Sequence, residues 1–325
     1  MELPEEGARR TKVTMSFRFK RVRIGTRGSK LALAQAQWVK AEIEKHSSET
    51  AAEIVVIKTS GDRFGEASLQ AIGGKGLFTK EIEEALLRRD VDVAVHSMKD
   101  LPTELPGGLV IAAVPKRVEP RDVLVSQDGI GLEDLRAGKR IGTGSLRRKA
   151  QLLHFRSDLS VVPVRGNVDT RLRKLDAGEV DALVMAAAGL KRIGEGNRIT
   201  EYIGEEVCVS AVAQGALALE SRDDEQTRLQ LEFLHDTVTQ LEVDAERAFL
   251  KRLGGGCQVP IGARARVEED QLRMIGIVAH STGNPFFRDE CSGRREHGEA
   301  LGAELAERLL RRGADKILTP PQAYR

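Results

Sequence analysis

The chain has 325 residues, 41% apolar and 31% charged, a globular composition with length for two or three domains, which excludes disorder and collagen-like repetition. Lys plus Arg number 51 against 49 Asp plus Glu, a formal net charge of +2, so no overall field exists to hold a polyanion, which argues against a nucleic-acid partner. Of those cations 35 are arginine and 16 lysine, a bias toward the planar fork that grips carboxylates and phosphates with paired hydrogen bonds.

Met1 to Arg23 has acids and scattered cations but no apolar signal core, and no stretch approaches the roughly 18 apolar residues of a membrane span. Neither a secreted nor a membrane protein is expected. Met15 stands just ahead of the first strand-like run, and residues 1–20 are read as an extension outside the fold. A strand at Val22 to Gly25 is followed by the loop Thr26-Arg27-Gly28, with Ser29 as helix N-cap. In the helix beyond it Leu31, Ala34, Trp38 and Ala41 recur at helical spacing and predict the buried stripe. Next come a strand from Glu53 to Lys58 and a long glycine-bearing loop from Thr59 to Lys75, a length more typical of a functional flap than of a connector. Its Gly-Gly-Lys-Gly ending is not a P-loop: position 69 is Leu, and no Ser or Thr follows Lys75. A helix from about Thr79 to Arg89 and a strand from Val91 to Val95 complete this unit.

The same grammar then returns. Arg-Ile-Gly-Thr at 23–26 is echoed at 140–143, each followed by a serine and a helix, and Val91-Asp92-Val93-Ala94-Val95 is echoed by Val180-Asp181-Ala182-Leu183-Val184. Two α/β lobes with mostly parallel sheets are expected, binding ligand in a cleft beyond the carboxyl ends of their strands. Pro115 to Pro120 and Ser221 to Gln226 read as inter-lobe connections. Beyond Gln240 a helix to Leu253, short strands near 263–267 and 272–279 and a last helix near 296–312 predict a small α+β domain.

Within this frame, Arg147 and Arg148 lie in the first turn of the helix capped by Ser145, where two cations oppose the macrodipole at about 0.3–1 kcal/mol each. A bound anion would remove that penalty. Arg27 occupies the equivalent loop of the first unit, Arg165 follows the strand Val161 to Val164, and Arg171 stands one helical turn on; four cationic loops predict a ligand rich in carboxylates or phosphates. Asp100, just past a strand end, opposes anion binding and suits charge stabilisation or proton transfer instead. His96 is the rival acid–base group, read as a supporting residue. Cys208 reads as buried and inert, whereas Cys257 follows three glycines on an open loop. Three cysteines without paired spacing argue for a reducing compartment, by default the cytoplasm, and against a zinc site.

Ile24-Gly25-Thr26-Arg27, Gly73-Gly74-Lys75-Gly76-Leu77-Phe78, His96-Ser97-Met98-Lys99-Asp100, Gly144-Ser145-Leu146-Arg147-Arg148, Arg165-Gly166-Asn167 and Gly255-Gly256-Cys257-Gln258-Val259-Pro260 together closely resemble the hydroxymethylbilane synthase (porphobilinogen deaminase) family, over about Val22 to Leu310. The resemblance implies two lobes like those of periplasmic binding proteins with a central cleft, plus a small C-terminal domain. Domain 1 would comprise 21–115 and 216–236, domain 2 121–210 and domain 3 238–325. It further implies a monomeric transferase of haem biosynthesis that condenses four porphobilinogen molecules onto a dipyrromethane cofactor and hydrolyses off the linear tetrapyrrole. By the same resemblance Cys257 anchors the cofactor through a thioether, with Lys99, Asp100, Ser145, Arg147 and Arg148 around it. Arg27, Ser29, Lys75, Arg165, Arg171 and Arg192 bind substrate carboxylates, and Asp100 is catalytic. No metal, nucleic acid or membrane is implied. In Ser210-Ala211-Val212-Ala213-Gln214-Gly215 the chain carries Ser and Ala where many relatives have Pro and Gly, and alanine at 213 predicts a negative φ. The rival reading is a non-catalytic two-lobed protein for a polycarboxylate ligand, in which Asp100 and a tethering Cys257 would be superfluous.

Overall fold

The computed structural model describes residues 20–63, 78–254 and 259–318. Lobe 1 begins with β1 (Arg21–Thr26), α1 (Lys30–His46), β2 (Ala51–Val56), α2 (Lys80–Leu87), β3 (Val93–Ser97) and β4 (Leu109–Ala113). The chain crosses to lobe 2 and forms β5 (Asp122–Ser126), β6 (Arg140–Gly142), α3 (Leu146–Phe155), β7 (Ser160–Val162), α4 (Val168–Asp176), β8 (Ala182–Ala186), α5 (Ala187–Arg192) and β9 (Glu201–Tyr202). It then returns to lobe 1 as β10 (Leu217–Arg222), followed by α6 (Glu225–Leu231).

The two sheets have one topology. Their spatial orders are β2-β1-β3-β10-β4 and β7-β6-β8-β5-β9. In each, the first three strands are parallel, as the repeated grammar predicts. The fourth, β10 or β5, is the strand that has just crossed from the other lobe, and it pairs antiparallel on both sides. Ser29 and Ser145 cap α1 and α3, accepting from the amides of Ala32 and Arg148.

The buried stripe of α1 is not the one expected. Ala32, Gln35, Ala36, Val39 and Ile43 face the sheet, while Trp38 is 43% exposed. Two apolar stripes compete at helical spacing, and the sheet takes the one with small residues and Ile43, which pack on Val22, Ile24, Val93 and Val95. Gln35 is tolerated on that face because its amide donates to Ser97 Oγ at 2.8 Å.

The third domain consists of α7 (Thr237–Arg252), the antiparallel sheet β11 (Ile261–Glu268), β12 (Gln271–Ala279) and β13 (Phe286–Arg294), and α8 (Gly298–Leu309). β13 was not legible, because its alternation is broken by charge: Arg288, Asp289 and Glu290 stand in series. The core of this domain is continuous with Met98, Leu101, Val114 and Ala216, so it packs where lobe 1 meets the crossings. Ser221 to Gln226 is not a crossing; it is the end of β10 and the start of α6. The second crossing is the segment that leads into β10, and Val118 of the first crossing donates to Gly215 O of the second at 3.4 Å.

That second crossing contains the other departure from expectation. Ala213 has φ +58° rather than a negative φ, because its buried N–H must point at Glu246 Oε2, 2.6 Å away. Gly215, at φ +90°, admits no side chain, since a Cβ there would lie 2.6 Å from Val118 O. An alanine in the left-handed region costs about 1–2 kcal/mol, partly offset by the greater chain entropy that glycine loses on folding. Ala213→Gly should therefore raise the urea unfolding midpoint, with a gain on the order of 1 kcal/mol; a lowered midpoint would contradict strain at this residue.

Candidate active site between the lobes

The sequence-predicted residues lie at the carboxyl ends of the parallel strands, where two half-sites face one another. β1 leads to Arg27 and Ser29, β3 to Lys99 and Asp100, β6 to Ser145, β7 to Arg165 and β8 to Arg192 on α5. The lobes touch near the start of α1: Lys30 pairs with Glu195 at 3.8 Å, and Leu31 lies against Gly189 of α5.

Arg147 and Arg148 share one buried anion before any ligand is bound. The protein supplies that anion itself, as the carboxylate of Asp122. It is 0% exposed and accepts from Arg147 Nη1 at 2.7 Å, Arg148 Nε at 2.9 Å and Nη2 at 2.7 Å, and Gln214 Nε2 at 2.8 Å. Cys208 Sγ donates to it at 3.3 Å. Burial alone would raise the Asp122 pKa, but the two guanidiniums outweigh it and hold the carboxyl far below the usual carboxylate range. The same carboxylate, with burial acting first, pushes the Cys208 thiol up to about 12, so this cysteine is inert as expected.

Gln214, on the second crossing, joins this cluster to lobe 1. Its Oε1 accepts from Arg148 Nη2 and from Lys99 Nζ, each at 3.4 Å. Arg192 Nη2 donates to Gly215 O at 2.8 Å, and burial pushes its guanidinium down to about 10. Contacts thus connect Lys99, Arg147, Arg148 and Arg192 through the crossing. Arg165 and Arg171 occupy the adjoining loop of lobe 2. Arg171 Nε donates to Gly166 O at 2.7 Å, and the Arg165 stem lies beside Gly144, next to Ser145. Arg27 stands apart on lobe 1, its guanidinium 4.1 Å above the Phe78 ring. Lys75 and Cys257 lie outside the described residues.

Asp100 closes a single 3₁₀ turn, Met98–Asp100, at the end of β3. It is solvent-exposed and makes no hydrogen bond or ion pair among the described residues, leaving both oxygens open to a ligand. Lys99 is likewise reachable by solvent, yet the cleft walls crowd its ammonium. That desolvation, opposed by Asp100 and reinforced by Arg148, brings its pKa down to about 8. His96 points the other way: its Nε2 is 2.9 Å from a carboxylate oxygen of Glu220, and both side chains are buried in lobe 1. At 6% exposure and turned to Glu220, it is placed as a supporting residue.

Sequence reasoning missed Asp122 and Gln214. The signal for Asp122 was present: a lone acid opens the apolar run Val123-Leu124-Val125, and a buried acid demands a buried cation. Nothing marked Gln214, whose importance comes only from where the second crossing runs.

The arrangement is that of a two-lobed α/β protein whose inter-lobe cleft gathers several cations and, among the described residues, exposes the unpaired carboxylate of Asp100. The chain belongs to the porphobilinogen deaminase family. Residues 22–230 match that family's "dipyromethane cofactor binding domain" and residues 240–311 its C-terminal domain. The porphobilinogen deaminase of Syntrophotalea carbinolica is 50% identical over 298 residues, 91% of this chain and 95% of its own. That of Syntrophus aciditrophicus is 52% identical over 298 residues, covering 91% and 97%. Among solved structures, the methionine-binding protein MetQ aligns over 66% of this chain and 87% of its own at 13% identity, with a TM-score of 0.42, a likeness that adds nothing to the assignment. Among the described residues no helix is long and apolar enough to cross a membrane.

The site residues present fit a dipyrromethane, which carries carboxylates on apolar rings: the Asp122 cluster has two guanidiniums for one carboxylate, and the ammonium of Lys99 adds a further positive charge. Because the Lys99 pKa is lowered to about 8, its charge is present at neutral pH and lost as pH rises through that value. Turnover should decline there, and Lys99→Arg should move the decline upward by more than about one pH unit, since a guanidinium stays protonated. An unmoved alkaline limb in the variant's pH–rate profile would remove Lys99 as its source.

Proposed function

We propose that this chain joins four porphobilinogen molecules head to tail and releases the linear tetrapyrrole hydroxymethylbilane by hydrolysis, acting as a monomer in the cytoplasm with neither nucleic acid nor membrane as partner. The observation that carries the reading is the solvent-facing Asp100 carboxylate beside Lys99 at the mouth of the arginine cluster. For anion binding alone that carboxylate is a defect, and this is what disfavours a non-catalytic two-lobed binder. For a reaction that creates and discharges positive charge it is an asset.

Bound dipyrromethane supplies the free pyrrole carbon to which the first substrate unit is joined. In each addition the aminomethyl C–N bond of porphobilinogen breaks and the protonated amine leaves as ammonia. The new C–C bond would form at that free pyrrole carbon, whose hydrogen would leave as a proton to a base such as Asp100. Asp100 stabilises the cation left on the substrate as the amine departs, helps protonate that amine, and assists removal of the ring proton afterwards. Arg27, Ser29, Arg165, Arg171 and Arg192, with Lys75, take the acetate and propionate groups of the substrate. Lys99, Ser145 and Arg147 take those of the cofactor, with Arg148 adding positive charge beside them while its own donors go to Asp122, Val184 O and Gln214, and Cys257 holds it through a thioether. Neither cysteine among the described residues suits that anchoring role: burial pushes Cys208 up to about 12 and Cys291 up to about 11.

Two experiments test this. Intact mass under denaturing conditions should show the parent heavier than its sequence by two pyrrole units, and Cys257→Ser should lack the increment; equal increments in both after incubation with porphobilinogen would remove Cys257 as the anchor. Asp100→Asn, which keeps size but carries neither charge nor proton, should retain the fold and lose at least about 100-fold in turnover. Near-parental turnover would end the catalytic assignment.

A further inference from the structure

We infer that Asp122 is a positioning residue, one that fixes the guanidinium of Arg147 so that its Nε–Nη2 edge faces the bound cofactor. The inference rests on the cofactor reading above and concerns how this chain prepares the site. A guanidinium has two edges that can grip a carboxylate, and the Nε–Nη2 edge does so with two parallel hydrogen bonds. Arg148 spends that edge within the protein: its Nε and Nη2 both donate to Asp122 Oδ1, at 2.9 and 2.7 Å. Arg147 does the opposite. Only its Nη1 is engaged, donating to Asp122 Oδ2 at 2.7 Å and Val209 O at 2.6 Å, with Cys208 Sγ at 3.4 Å. Its Nε and Nη2 make no hydrogen bond among the described residues, although the residue as a whole is only 5% exposed.

An edge with both donors unspent on a nearly enclosed guanidinium is completed best by a carboxylate that takes both. Asp122 makes the arrangement possible in two ways. Its negative charge lets two guanidiniums share one enclosed space, and its geometry takes both oxygens out of play: Oδ2 holds Arg147 by Nη1, while Oδ1 serves Arg148 and Gln214. One excess positive charge and one open fork remain, which is what a single ligand carboxylate satisfies. Gln214 Nε2, donating to Pro120 O at 2.7 Å as well as to Asp122, ties this fork to both crossings, so its orientation is set by the crossings and not by the helix alone.

The test follows cofactor loading in the full-length chain produced without cofactor, by adding porphobilinogen and recording covalently loaded protein over time by denaturing intact mass. The variants are Asp122→Asn, which removes the charge, Asp122→Glu, which keeps it but displaces it, Arg147→Ala, and Asp122→Asn with Arg147→Ala. Asp122→Asn and Asp122→Glu should each load about 10-fold more slowly. The double variant should load no more slowly than Arg147→Ala, because without the fork there is nothing left to position. A structural role alone would leave the two losses multiplied together. Loading at the parental rate in Asp122→Asn and Asp122→Glu, or multiplied losses in the double variant, would overturn the inference. If Asp122→Asn does not fold, as judged by circular dichroism, the Asp122→Glu rate decides. A parent chain that itself gains no mass would overturn the cofactor reading, and this inference with it.

Discussion

The carboxylate of Asp122 lies wholly inside the protein where the chain first enters lobe 2, and an isolated charge there would be untenable. It is held by two guanidiniums, a carboxamide and a thiol, each from a segment that would otherwise have no reason to meet: α3 of lobe 2, the second crossing and the stretch before it. Glu246 of the third domain does the same a short way along. It accepts from Arg117 on the first crossing, Ala213 N on the second and Ala265 N on β11. Breaking such a buried pair costs about 3–5 kcal/mol, because the surviving charge has no alternative partner. The crossings are therefore fixed by charge at two buried points, and the cleft inherits its geometry from them.

The shared sheet topology explains why the ligand-facing groups converge. Parallel β1 and β3 end at Arg27 and Asp100, and parallel β6, β7 and β8 end at Ser145, Arg165 and the α5 arginine. Each lobe's fourth strand is borrowed from the other crossing and runs antiparallel. The crossings consequently pass between the two sets of strand ends, which is where open α/β sheets bind ligands. Gln214 can touch Lys99 of lobe 1 and Arg148 of lobe 2 because it sits on such a crossing.

A net charge of +2 conceals the relevant electrostatics. Several ion pairs join exposed side chains, as in Arg88 with Asp90 and Arg273 with Glu290, pairs worth little to stability. In the cleft the balance differs: one buried Asp faces two Arg, with Lys99 alongside, while Asp100 remains unpaired. The excess of arginine over lysine has its use there, since a rigid fork can be oriented by one hydrogen-bonded edge while presenting the other.

Much of this was legible without coordinates. The echo of Arg-Ile-Gly-Thr and of the Val-Asp strands exposed two like lobes, Ser29 and Ser145 marked helix starts, and the motifs around Arg27, Asp100, Arg147, Arg165 and Cys257 pointed to the family. All are local patterns, set by hydrogen bonding and periodicity within a few residues. What could not be read depends on distant segments meeting. The stripe of α1 was one of two apolar choices, and the sheet decided. The φ of Ala213 is positive because Glu246 lies where it does, and β13 forms despite its charges because β12 offers it an edge. The sequence alone specified which residues could bind carboxylates and carry a proton. Tertiary structure decided that Arg148 is occupied by Asp122 while Arg147 keeps a free edge, because hydrogen-bond donors are apportioned only when all their acceptors are in place.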